Sequence, residues 1–135
     1  MPSVNLLAVI VSAVLSMVVG SLWYGPIFGK KWMKLISMTK EEMEKGKKDM
    51  PKTYGMMFVG SLVTSYVLAM TVGMAATKDV ATGVIIAFWI WLGFIVPVKL
   101  SEVLFEKKAW DLFYIENGYY LVFLLIAGGV IGAWA

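Results

Sequence analysis

The chain has 135 residues, 60% hydrophobic and only 16% charged, with a net charge of +3 and neither cysteine nor histidine. A soluble domain of this length cannot bury so much apolar side chain, because its surface is too large for its volume. Without Cys or His there are no disulfides, no thiolate or imidazole chemistry and no zinc or haem ligation of the usual kind. Only carboxylates could hold a metal, and nothing groups them for it, so no cofactor and no resident metal are expected.

The first apolar run covers residues 4–22. No basic stretch precedes it and no small-x-small site follows, so it reads as a retained helix, not a cleaved leader. Ala8, Ser12, Ser16 and Gly20 recur along it at a spacing of four. The polar segment 27–52 comes next and holds eight of the twelve lysines. Ile27, Phe28, Trp32, Leu35 and Ile36 interleave there with Lys30, Lys31 and Lys34, the pattern of a piece lying at the headgroup level. It serves either plain anchoring or a lipid- or partner-binding patch. Thr39 followed by Glu42 has capping-box spacing and predicts a short helix from Lys40 to about Lys48.

The second run, 54–76, repeats the spacing of four with Ser61, Ser65, Ala69, Gly73 and Thr77. The third, 80–105, carries the aromatic stretch Phe88–Phe94, then Pro97, where a kink is expected, then Lys99 and Glu102 one turn apart. The fourth, 112–134, contains Glu116, Asn117 and Tyr119 near its start and Gly128 and Gly132 near its end.

Each run is close to the ~20 residues that cross a bilayer. None alternates as a barrel strand would, so each must be a helix that satisfies its own backbone. The fold expected is all-α: an integral membrane bundle of four transmembrane helices forming one domain, 1–135. Lysine asymmetry gives its orientation. Eleven of the twelve lysines fall in or beside the loops after runs one and three, and only Lys78 lies on the opposite side. The positive-inside rule then predicts N-out/C-out, with the 27–52 segment in the cytoplasm. The same placement attributes the basic balance to the lipid bilayer and not to nucleic acid.

Stripes of small residues four apart let another helix backbone come close, so those on runs one, two and four predict packing interfaces, within one chain or between chains. So small a bundle leaves faces uncovered, which favours a homo-oligomer.

Chemistry points to the inner ends of runs three and four. Counted outward from a turn near Lys108, Lys99 lies at the depth of Glu116 and Asn117, predicting a Lys99–Glu116 ion pair directly or through Asn117. Charges inside a membrane normally pair or face a cavity. Lys99, Glu102, Glu116 and Asn117 therefore either hold the hairpin together or line a polar site for a cation, proton or small solute. Trp89, Trp91 and Tyr119 are the aromatics that would wall such a pocket. No phosphate loop, nucleophile elbow or metal motif occurs, and an enzyme is not expected. Two functions remain in view. One is binding or transport of a small solute or cation; the alternative is a structural or accessory subunit docking a larger membrane partner.

Several clusters resemble a known family. They are Asn5-Leu6-Leu7; Leu22-Trp23-Tyr24-Gly25-Pro26 with Phe28-Gly29-Lys30 and Trp32; Tyr54; and Pro97. Leu104-Phe105-Glu106 follows, with Trp110, Leu112-Phe113, Ile115 and Asn117-Gly118-Tyr119. Together they are similar to the small prokaryotic membrane proteins of domain of unknown function 1761, over essentially the whole chain. The resemblance implies about four spans in the cell membrane of a bacterium or archaeon, and it implies no activity.

Overall fold

The computed structural model describes residues 3–37, 39–76 and 78–134, and Thr77 of the second stripe lies outside them. Helices dominate, and there is no strand among the described residues. α1 (Leu6–Leu22) is started by Asn5, whose Oδ1 accepts the backbone N–H of Leu7 and Ala8 at 3.0 and 3.2 Å. It runs directly into a π-helical turn, Trp23–Ile27, completing a 22-residue span. α2 (Gly29–Leu35) follows as one short amphipathic piece. Its lysines are exposed, Trp32 is half-buried, and the Trp32 ring meets that of Tyr24 edge-on at 5.1 Å.

α3 (Lys40–Lys48) begins where the capping-box spacing places it, with Thr39 Oγ1 accepting the Glu42 N–H at 3.1 Å. α4 (Met50–Gly73) starts four residues before the expected Tyr54. Pro51 explains the difference: its ring suits a first helical turn, where its missing N–H is not needed. α5 (Val80–Ile90) is capped by Asp79, whose carboxylate accepts the Thr82 N–H at 2.8 Å. Hydrogen bonds from Thr82 hold that carboxyl below the usual carboxylate range. A second π-helical turn (Trp91–Ile95) and α6 (Val96–Phe105) extend α5 into a 26-residue span. Lys107, at φ 60°, turns the chain into α7 (Trp110–Ala133).

Both π turns trace to proline. A proline inside a helix donates no hydrogen bond and collides with the carbonyl four residues back. Pro26 lies within the first turn, and the Phe28 N–H reaches five residues back to the Trp23 carbonyl at 2.9 Å. Pro97 stands just past the second, where the Val96 N–H likewise reaches Trp91. The interruption expected at Pro97 is thus one wide turn within the span, the form in which π-helix mostly occurs.

α7 is the centre of the bundle. Half of its apolar window is buried, against 11% for the α5–α6 span. It packs against α1, α4 and α5, and the core gathers Ala8, Val9, Leu68, Val72, Ala87, Phe123, Leu124 and Ala127 among others. The exterior is apolar as well. Leu6, Leu7, Ile10, Val14 and Val18 of α1, Val59 and Val63 of α4 and Phe94 of the second π turn all face outward. Helices that are apolar all round are membrane spans. Four of them, each long and apolar enough to cross, make this a multi-pass membrane protein.

The stripes on α1 and α4 are spent inside the chain. Ala8, Ser12 and Ser16 and their counterparts Ser61, Ser65 and Ala69 are all buried, on two helices that pack together. Gly128 and Gly132 of α7 face α5. A Cβ on Gly83 would strike the Gly128 backbone carbonyl, one on Gly128 the Gly83 carbonyl, and one on Gly132 the Asp79 carbonyl.

Candidate functional site

The charges where the last two spans meet, either side of the turn at Lys107, come together. α6 supplies Lys99 and Glu102 at i, i+3, and α7 supplies Glu116 and Asn117. Lys99 Nζ lies 3.3 Å from Glu116 Oε2 and 3.6 Å from Glu102 Oε1. Lys108 Nζ lies 3.5 Å from the other Glu102 oxygen. The left-handed Lys107 makes that last contact available, since it lets the Lys108 N–H fold back to the Glu102 carbonyl at 3.3 Å. Two lysines and two glutamates thus neutralise one another.

Three of the network's four side chains are sheltered, and Lys108 is exposed. Lys99, Glu102 and Glu116 side chains are 22%, 22% and 17% exposed, whereas the separate Lys31–Asp111 pair, at 3.5 Å, is more than half exposed. The Lys99 ammonium also sits 5.6 Å from the centre of the Tyr120 ring, within cation–π range.

Asn117 follows Glu116 on α7 and is 5% exposed. Its side-chain amide donates to the Phe113 carbonyl at 2.8 Å, its backbone carbonyl accepts the Trp91 indole N–H at 2.9 Å, and its Oδ1 has no partner. Trp91 and Lys99 therefore reach α7 at adjacent residues.

Two of the three expected pocket aromatics lie elsewhere. Trp89 is 62% exposed, its ring edge-on to Phe88 on the outer surface. Two residues from Trp91 is about 200° around a helix, so the two indoles cannot share a face. Tyr119 is buried against α1 and donates its hydroxyl to the Ser16 carbonyl at 3.1 Å. Tyr120, one turn beyond Glu116, takes the place under Lys99 instead.

Two features escaped the sequence reading. The first is the pair of indole ties. Each π turn opens on a tryptophan, and the two donate to neighbouring carbonyls of α7, Trp23 to Ile115 at 2.8 Å and Trp91 to Asn117. A tryptophan a few residues before a proline inside an apolar run is the signal that could have found them. The second is a partly enclosed cavity of about 350 Å³ at the opposite end, lined by Asn5, Ala8, Ala69, Gly73, Lys78 and Trp134 among others. Its walls include the ends of the two small-residue stripes nearest the termini, beside Lys78. An apolar groove of about 370 Å³ also runs between α1 and α4, lined by Leu6, Val9, Ile10, Leu62, Val63 and Tyr66.

Among the described residues no cluster of three acidic side chains could hold a metal ion. Comparison with curated proteins and with solved structures returns no match. The family model described as protein of unknown function, DUF1761, matches residues 7–132, nearly the whole chain. The chain belongs to that family.

Proposed function

We propose that this multi-pass protein binds or moves a small solute or cation across the cell membrane of a bacterium or archaeon, without catalysis. The site is the inner cluster of Lys99, Glu102, Glu116 and Asn117, with Trp91 and Tyr120 beside it. In this reading the termini face outward and the lysine-rich segments face the cytoplasm, as the eleven-to-one lysine distribution favours.

One observation carries the reading: the sheltered Lys99–Glu116 pair, 3.3 Å apart, on a span whose next residue, Asn117, keeps a buried unpartnered oxygen. Buried ion pairs repay their desolvation poorly, so stability alone is a weak reason to keep one. Ionisable groups within a membrane span are by default functional. A pair that merely anchored the inner border would sit where Lys31 and Asp111 sit, at the surface.

Proteoliposomes carrying a pH- or cation-sensitive dye test it, under imposed proton, Na⁺ and K⁺ gradients. The wild type should discharge at least one gradient faster than empty liposomes, and Glu116→Gln should reduce that rate about tenfold. Equal rates for wild type and Glu116→Gln would overturn the assignment to this cluster.

The accessory-subunit reading is supported by the α1–α4 groove, whose lining is wholly apolar. With the small-residue stripes spent inside the chain, a second copy or a partner helix would have to use such an outer face. Cross-linking at Val63 in native membranes separates that reading from a solitary solute-binding unit.

A further inference from the structure

α2 is short and two-sided. At about 100° per residue, Lys30, Lys31 and Lys34 fall within roughly one third of its circumference. All three are exposed, while Gly29 on the other side is buried and Trp32 and Met33 are half-buried. The apolar side is docked. Trp32 meets the Tyr24 ring at 5.1 Å, and a Cβ on Gly29 would stand 2.8 Å from the Tyr24 carbonyl. Lys31 Nζ lies 3.5 Å from Asp111 at the start of α7, so α2 is held against the ends of two spans.

Charge at this corner is one-sided. Among the described residues Lys30, Lys34 and Lys107 make no ion pair. Lys107 stands four residues before Asp111, at most about 14 Å from it along the chain. Lys30, Lys31, Lys34 and Lys107 are thus set against two acids, Glu106 and Asp111. Exposed apolar side chains flank these lysines: Ile27, Phe105 and Trp110 are each half or more exposed. Unpaired ammonium groups next to an apolar border fit a molecule with an anionic head and an apolar tail.

α3 supplies the contrast. Its Lys40, Lys45, Lys47 and Lys48 are mixed with Glu41, Glu42 and Glu44, and Met43 is its one large apolar residue. Orientation in a membrane depends on lysine number, which α3 serves as well as α2. What α2 adds is a fixed place, a surplus of charge and an apolar edge.

We propose that α2 and the turn into α7 hold an anionic phospholipid of the adjoining leaflet. Its phosphate lies on Lys30, Lys34 and Lys107, and its acyl chains lie along Ile27 and Trp110. This lipid site needs nothing from the Glu116 cluster, and Glu116-dependent flux would neither support nor weaken it.

The full chain in phosphatidylcholine nanodiscs is offered spin-labelled phosphatidylglycerol or spin-labelled phosphatidylcholine, and the immobilised fraction reads the preference. The wild type should hold phosphatidylglycerol at least tenfold more tightly. Lys30→Gln combined with Lys34→Gln should bring the two lipids close to parity, since each lysine near a membrane surface contributes about fivefold. Lys45→Gln combined with Lys47→Gln on α3 should leave the preference within about twofold of wild type. Asp111→Asn, which removes an acid from the corner, should raise it. No preference in the wild type would overturn the site, and equal losses from the α2 and α3 pairs would reduce it to diffuse attraction. Release of the labelled lipid by inorganic phosphate, but not by chloride at matched ionic strength, would make it a site for soluble anions and overturn the lipid assignment. Should the α2 pair fail to reconstitute, Asp111→Asn decides alone, and an unchanged preference there refutes the site.

Discussion

Two seams of the bundle carry small residues at a spacing of four, and they are built differently. Along α5 and α7, Gly83 and Gly128 press backbone against backbone, with no room for a Cβ on either. Along α1 and α4, serines take the equivalent places and leave two hydroxyls without partners beside a cavity. Glycine lets helices close to dispersion and Cα–H···O contact, which seals an interface in lipid. Serine holds the backbones a side chain apart and brings polarity with it. Spacing announces an interface; the residue at each position decides whether it is sealed or polar.

The sealed seam should be the most easily broken. Gly83→Leu forces a side chain into the Gly128 carbonyl and is expected to destabilise by roughly 3 kcal/mol, the upper range for overpacking a fitted core. Denaturant titration in bicelles measures it. Gly60→Ala is the control, because a Cβ there meets nothing within 4 Å. It should be neutral or stabilising by up to about 1 kcal/mol, since alanine favours helix over glycine. Equal losses at both positions would mean that α5 does not pack on α7 through Gly83.

A second large effect is expected where α6 meets α7 below that seam. Lys99→Met leaves Glu116 without its cation and Glu102 with Lys108 alone. A sheltered carboxylate stripped of its partner costs about 3 kcal/mol. Adding Glu116→Gln to Lys99→Met should recover more than half of the loss, a coupling that a double-mutant cycle reads directly. Additive losses would show the pair to be solvated and independent.

That pair was legible in the sequence because it depends on depth alone. Counting residues outward from Lys108 on two antiparallel helices places Lys99 against Glu116 without any knowledge of packing. The four spans and the Thr39 cap were legible for a similar reason, since each depends on a local run or spacing. Gly83 was not. It stands between Thr82 and Val84 with no small neighbour at a spacing of four other than Ala87, and its importance exists only because Gly128 faces it. Trp89 and Tyr119, expected to wall the pocket, lie elsewhere because adjacent residues on a helix face different neighbours and composition cannot say which. The cavity was invisible because a void is set by what two helices fail to fill.

Smaller effects test how the π turns are tied to α7. Trp91→Phe keeps the ring and removes the N–H that Asn117 accepts, a loss of about 1 kcal/mol. Hydrogen exchange should locate it: the Val96 amide, bonded five residues back across the turn, should exchange faster, with α1 unaffected. Trp23→Phe should do the same at Phe28 and cost more, because the Trp23 indole also packs where a Cβ on Gly118 would stand 2.8 Å from it. Uniform exchange changes across the bundle would mean that the indoles stabilise globally and not through their own turns.

The smallest change in stability is the one that discriminates most finely between the seams. In a dry interface, Ser65→Ala removes a hydroxyl that has no partner and should stabilise by about 1 kcal/mol or more. In a hydrated one the hydroxyl is already satisfied by water, and the change should stay within about 0.5 kcal/mol. Ser12 and Ser65 have no accessible surface, so the first outcome is expected. A change within about 0.5 kcal/mol would instead put water between the two serines and make this seam a hydrated one.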